Sequence, residues 1–139
     1  MDASRAWLAA VAVVFAVAAT PLVAHHAFAA EFDANKPVTL TGAVSKVEWI
    51  NPHSWLTIEV PNPKTGKPET WRIEMGAPNQ LLRRGWTRTT VAIGTRVTVE
   101  GYRAKDGSNT ANGGNITLGD GRKLFVGSSG TGAPYDKKQ

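Results

Sequence analysis

The residues best equipped for chemistry are three histidines, and they lie in two places: His25-His26 near the start, and His53 within Asn51-Pro52-His53-Ser54. Imidazole is the commonest transition-metal ligand. The chain has no cysteine, so a metal would meet nitrogen and oxygen donors only. The missing thiols also exclude disulfides, Cys-ligated zinc, thiol nucleophiles and a lipid-modified N-terminal cysteine. If His25 begins a processed chain, its α-amine and ring Nδ1 can chelate one metal together. His53 then supplies a third nitrogen, and such a T-shaped or tetragonal set suits Cu(II). His26 stands in reserve, because neighbouring side chains of an extended chain point to opposite faces. The plainer alternative makes His53 a turn residue bonded to backbone, between two packing tryptophans.

The turn around His53 is well specified. Asn-Pro starts turns, since Pro fixes φ near −65° and the Asn side chain bonds backbone two residues on. Its arms, Lys46 to Ile50 and Trp55 to Val60, alternate apolar and polar residues as half-buried strands do. Upstream, Pro37 opens the first strand. There Val38, Leu40 and Gly42 share one parity while Val47 and Trp49 take the other, which predicts a bulge or bend near Val44-Ser45-Lys46. Downstream, Pro61 to Pro68 is a loop by composition, and Trp71, Ile73 and Met75 mark a third strand. Ala77 to Gly85 has Pro near its start and Gly past its end, predicting two turns of helix with Leu81 and Leu82 buried. Arg96 to Arg103 is a fourth strand, Lys105 to Gly114 a polar loop, Ile116 and Leu118 a short strand, and Asp120-Gly121 a hairpin turn before Lys123 to Val126. This order predicts a mainly β fold, a small five-stranded OB-like Greek-key barrel with one short helix between strands 3 and 4.

The ends read differently from the middle. Met1 to Arg5, the apolar run Ala6 to Ala19, and Thr20-Pro21 have the layout of a secretory signal. We therefore expect residues 1–24 to be a signal peptide, 25–36 a leader, 37–126 the barrel and 127–139 a disordered tail. Cleavage after Ala24 leaves His25 first, whereas cleavage after Ala29, at Ala27-Phe28-Ala29, removes both leader histidines. The destination is the periplasm or the medium, with the membrane met only through the signal during export.

A formal net charge of +5 favours anionic partners. Arg83, Arg84, Trp86, Arg103 and Lys105 form the corresponding constellation, a basic aromatic side of the kind OB folds use for glycans and single strands. Export disfavours nucleic acid, so an anionic glycan or a partner protein is the better ligand there. Catalytic sets are hard to find. Glu48, Glu59 and Glu74 read as surface charges pairing with Arg72 or Lys46. Ser54 beside His53 is not a nucleophile–base spacing, and no acid is placed to orient the His. The expectation is a small exported binding protein rather than an enzyme, taking a transition metal, copper first, through His25, His26 and His53; the alternative ligand is the anionic glycan or partner.

Several stretches together carry a resemblance: His25-His26-Ala27-Phe28-Ala29-Ala30-Glu31-Phe32-Asp33, Asn51-Pro52-His53-Ser54-Trp55, Gly76-Ala77-Pro78-Asn79, Arg83-Arg84-Gly85-Trp86 and Gly101 to Ser108. In these motifs the chain resembles an uncharacterised family of small exported bacterial proteins, a domain of unknown function. The resemblance spans nearly all of the processed chain and implies an exported bacterial setting, with no activity attached. The imagined copper site is similar to the histidine brace of copper-dependent polysaccharide oxygenases and of some periplasmic copper-binding proteins.

Overall fold

The computed structural model describes residues 27–138. The expected signal peptide, both leader histidines and the cleavage point after Ala24 lie outside the described residues. Helix α1 (Ala27–Glu31) leads directly into β1 (Phe32–Glu48), followed by β2 (Trp55–Pro61), β3 (Pro68–Glu74), α2 (Pro78–Arg83), β4 (Arg96–Ala104), β5 (Thr110–Leu118), β6 (Lys123–Phe125) and a 3-10 turn at Pro134–Lys138. The fold is mainly β, with six strands in one sheet ordered β3-β2-β1-β4-β5-β6 and an additional pairing between β3 and β5. All pairings are antiparallel except β3–β5, which is parallel. No helix among the described residues is long and apolar enough to cross a membrane.

The alternation expected of β1 changes parity where the residues said it would. Val44 pairs with Ile58 and Lys46 with Thr57, so Ser45 is the extra residue of a bulge. Such a residue bends and twists its strand, letting one long segment serve β4 along its first part and β2 along its second. The strand starts earlier than Pro37. Phe32 already pairs with Ala104, and the register slips before Pro37 meets Tyr102. From Ala27 onward the leader is thus a short helix plus strand, held by two buried phenylalanines, Phe28 and Phe32.

Two hydrophobic clusters follow from the strand parity. The larger holds Leu40, Val44, Leu56, Ile58, Ile73, Val97, Val99 and Ile116 on the inward faces, with Leu81 of α2, Trp86 and Val91 packed against them. Only one leucine of the expected helix pair goes inside: Leu81 is fully buried while Leu82 is 55% exposed. A six-residue helix presents one narrow face, and adjacent positions lie about 100° apart on it. The smaller cluster comprises Phe28, Phe32, Ala104 and Ala133, with Tyr102 and Tyr135 beside them.

Two compositional readings were wrong. Thr110 to Gly114, expected as loop, belongs to β5. The glycines are there for closeness: a Cβ on Gly113 would lie 2.9 Å from Ile73 Cγ2, and one on Gly101 would collide with the Asn112 carbonyl. Side chains at these points would hold β3, β4 and β5 apart. The segment from Gly127, expected as a disordered tail, packs on the body. Ala133 is fully buried, Tyr135 stacks edge-on against Phe125, and Asp136 accepts from the backbone N–H groups of Thr131 and Gly132.

Candidate functional site

Strand register assembles a row of side chains on the face opposite the main core. Trp55 of β2 stands across from Glu74 of β3, Glu74 across from Asn112 of β5, and Asn112 across from Tyr102 of β4. Period-two alternation puts Glu74 on the same face as the exposed Arg72. By pattern alone it should be wet. It is only 6% exposed, because α1 and the C-terminal segment lie over this face through Phe28, Thr131 and Tyr135.

His53 reaches Glu74 from the Asn51–Ser54 turn. The ladder between β2 and β3 continues past the strand end, with Ser54 N–H donating to Gly76 O at 3.1 Å and Met75 N–H to Ser54 O at 2.8 Å. That pins the residue after His53 and brings His53 Nδ1 to 2.7 Å from Glu74 Oε1. The Asn51-Pro52 peptide is cis. Asn112 Nδ2 donates to the same Oε1 at 3.2 Å, and the Tyr135 hydroxyl donates to Asn112 Oδ1.

Burial pushes the Glu74 carboxyl above its usual range, opposed by the neighbouring His53 and helped by the charge of Glu31. Burial likewise raises the Tyr135 phenol well above its ordinary value, so it stays a donor. With Nδ1 engaged, His53 has Nε2 left, and the side chain is 30% exposed. It opens on a pocket of about 310 Å³ walled by Phe28, Ile50 and Trp55, with Glu31, Asn51, His53, Glu74, Asn112 and Thr131 as its polar lining. The titratable groups around it are two carboxylates and an imidazole. Such a lining suits a cation better than an anion.

Two expectations about this site need correction. An acid does orient His53, and the partner of its ring is a side chain rather than backbone. Glu74 does not pair with Arg72 or Lys46; those cations go to Glu48, at 3.7 and 2.9 Å. Glu59 takes hydrogen bonds from Thr70 and Ser45. The signal for Glu74 was weak, since one Glu in an alternating strand looks like any surface Glu. His25 and His26 lie outside the described residues. Among the described residues no group of three His, Cys, Asp or Glu side chains is gathered as a metal cage.

The basic aromatic set fares differently. Trp86 is 2% exposed and belongs to the main core. Arg84 donates to Gly127 O and Ser129 Oγ and lies over the Phe125 ring at 4.5 Å. Arg103 is tied to Gly107 O, Ser108 O and Asn109 Oδ1, with Trp71 beneath it. Lys105 donates to Ala29 O and so holds α1. Arg83 is exposed.

The sheet with its capped outer face makes a small β domain that carries a polar pocket at His53. The chain belongs to a family of unknown function, DUF6152, whose model matches residues 12–113. No curated protein and no solved structure matches it.

Proposed function

We propose that this is an exported bacterial protein, periplasmic or secreted, which binds a transition metal at His53 and does not turn a substrate over. Copper is the first candidate. One observation carries the reading: a half-buried His53 whose Nδ1 faces a buried carboxylate. Metal-ligating histidines almost always give their second nitrogen to a carboxylate, carbonyl or water, which sets the tautomer and strengthens the donor. The acidic character of the pocket points the same way.

The remaining donors come from the chain before α1. Phe28, in the helix that follows those residues in the chain, lines the pocket. A processed chain starting at His25 would offer its amine and the leader imidazoles as the further ligands. With a nitrogen-rich, cysteine-free set, Cu(II) is favoured over softer or harder ions.

The scaffold we infer is a five-stranded OB-like Greek-key barrel. Its support is the circuit of pairings β1–β2–β3–β5–β4–β1, with α2 between β3 and β4 and β6 as an added edge. The rival reading, an anionic glycan or partner protein held by Arg83, Arg84, Trp86, Arg103 and Lys105, has less behind it. Four of those five side chains are already used to pack or tie the fold.

Intact mass of the exported protein comes first, since a chain beginning at Ala30 would sink the site. Copper titration of the His25-initiated chain then compares wild type with His53→Ala. The expected result is one tight site in wild type, weakened at least tenfold in the variant. Equal affinity in both would make His53 structural.

A further inference from the structure

We propose that the connection between β3 and β4 docks this protein on an anionic phospholipid surface, with Leu82 and Ile93 entering the lipid and Arg83 and Arg88 meeting its phosphates. The inference stands apart from the His53 reading and does not need it. It adds a membrane contact to the one expected of the signal during export. Apart from Arg83, it uses residues that neither the metal site nor the rival basic set includes.

Charge along this stretch is one-sided. Residues 75–99 carry four arginines, Arg83, Arg84, Arg88 and Arg96, and no aspartate or glutamate. Arg84 is committed to Gly127 O and Ser129 Oγ. The other three are exposed and form no ion pair among the described residues. Two carboxylates come near from other elements, and both are engaged. Glu59 lies across Ala43 from Arg96 in the register of β1 and accepts from Thr70 and Ser45. Asp120, in the hairpin turn after β5, pairs with Arg122 at 2.7 Å. The positive field of the connection is therefore left for an anion outside the chain.

Three large apolar side chains are exposed among the described residues: Ile50, Leu82 and Ile93. Ile50 walls the His53 pocket, and the other two belong to this connection. Single exposed apolar residues are ordinary on protein surfaces, but Ile93 has an unusual place. It stands 74% exposed at the first central position of the turn Ala92–Thr95, which Thr95 N–H closes on Ala92 O at 3.1 Å. Gly94 follows at φ 87°. Turn centres of this kind favour Pro, Gly and polar residues. A β-branched apolar side chain there has little of its own fold to pack against.

The buried half of the connection fixes its outer half. Leu81, Trp86 and Val91 all enter the main core, which leaves Leu82, Arg83, Arg88 and Ile93 on the solvent side of one packed segment. Gly94 N–H donates to Val44 O at 2.7 Å and Val44 N–H to Thr95 O at 2.9 Å, pinning the turn to the bulge of β1. The Thr87 hydroxyl meets those of Thr89 and Thr90, and Thr90 Oγ1 accepts from Thr87 N–H at 2.7 Å. With these polar groups satisfied inside the loop, moving it from water into a headgroup layer costs less. Protruding apolar side chains beside exposed arginines fit a surface they can sink into. A bilayer offers phosphate outside and hydrocarbon below, whereas an acidic partner protein would need a matched cleft for each side chain.

The test is co-sedimentation of the full-length processed protein with vesicles of equimolar phosphatidylcholine and phosphatidylglycerol, beside vesicles of phosphatidylcholine alone. Wild type is expected to bind the mixed vesicles, to leave the neutral ones, and to bind less as salt is raised. The double variant Arg83→Ser, Arg88→Ser should weaken binding about 25-fold, roughly fivefold for each cation lost. Leu82→Ser with Ile93→Ser keeps every charge and should weaken it about tenfold or more, with retention on heparin as in wild type. Thermal unfolding of both variants, whose replaced side chains are exposed, should match wild type. Undiminished vesicle binding by the Leu82 and Ile93 variant would mean attraction by charge alone and overturns the inference. Equal binding to neutral vesicles overturns it too. Binding to neither kind does the same and hands the face to an acidic partner protein.

Discussion

His53 Nδ1 and Glu74 Oε1 sit 2.7 Å apart, joining the turn that follows β1 to the last residue of β3. The contact converts a turn histidine into an oriented one, and it explains a carboxylate buried on the nominally wet face of its strand. Its consequences for stability and binding can be measured separately.

Glu74 makes stability depend on pH in a predictable sense. Its carboxyl, ordinarily at 4.5, is raised by burial. The folded state therefore holds a proton that the unfolded state has lost, and stability falls as pH rises through the window above 4.5. Other carboxylates act oppositely: Glu48 is lowered by Lys46, Asp106 by Ser108, and Asp120 by the Arg122 backbone N–H. Comparing wild type with Glu74→Gln cancels them. The Tm of Glu74→Gln relative to wild type should rise between pH 4 and pH 7; a flat difference would contradict the assignment.

The two leucines of α2 should separate cleanly. Leu81→Ala is expected to cost about 2–5 kcal/mol, as for other fully buried leucines. Leu82→Ala should stay within about 0.5 kcal/mol. Urea denaturation of the two variants decides, and similar losses would mean the helix is rotated from the orientation described.

Gly113 tests how closely β3 and β5 approach. Gly113→Val places a branched side chain against Ile73, Val126 and the Glu74 carbonyl. Overpacking of this kind typically costs about 1–3 kcal/mol, and here it should also disturb the His53–Glu74 pair. Thermal unfolding with the His53 ring signals as a second probe would show both effects.

Arginines adjacent in sequence should behave differently. Arg84→Ser removes bonds to Gly127 and Ser129 and the contact with Phe125, and is expected to lower stability by about 1–3 kcal/mol. Arg83→Ser should be nearly neutral. If Arg83→Ser instead abolishes retention on a polyanion column, the rival binding face regains its case.

Much of the strand framework was legible. Alternation marked the cores of β1 to β4, the parity change at Val44-Ser45-Lys46 marked the bulge, and Pro78 with Gly85 marked α2. These are local properties, set by side-chain direction and by the backbone limits of Pro and Gly. What misled was composition: Gly113 and Gly114 looked like loop and serve close strand packing, and Gly127 to Asp136 looked like tail and covers a face.

The sequence by itself determined a β-rich chain with a turn presenting His53, and its lack of cysteine excluded thiolate ligation of any metal. Tertiary structure alone decided what His53 would meet. Glu74, Asn112 and Tyr135 come from two strands and the C-terminal segment, and only the parallel register of β3 on β5 lines them up. Period two says which face a residue takes; it carries no record of what later chain folds over that face. That cover turned a surface glutamate into the buried partner of a histidine.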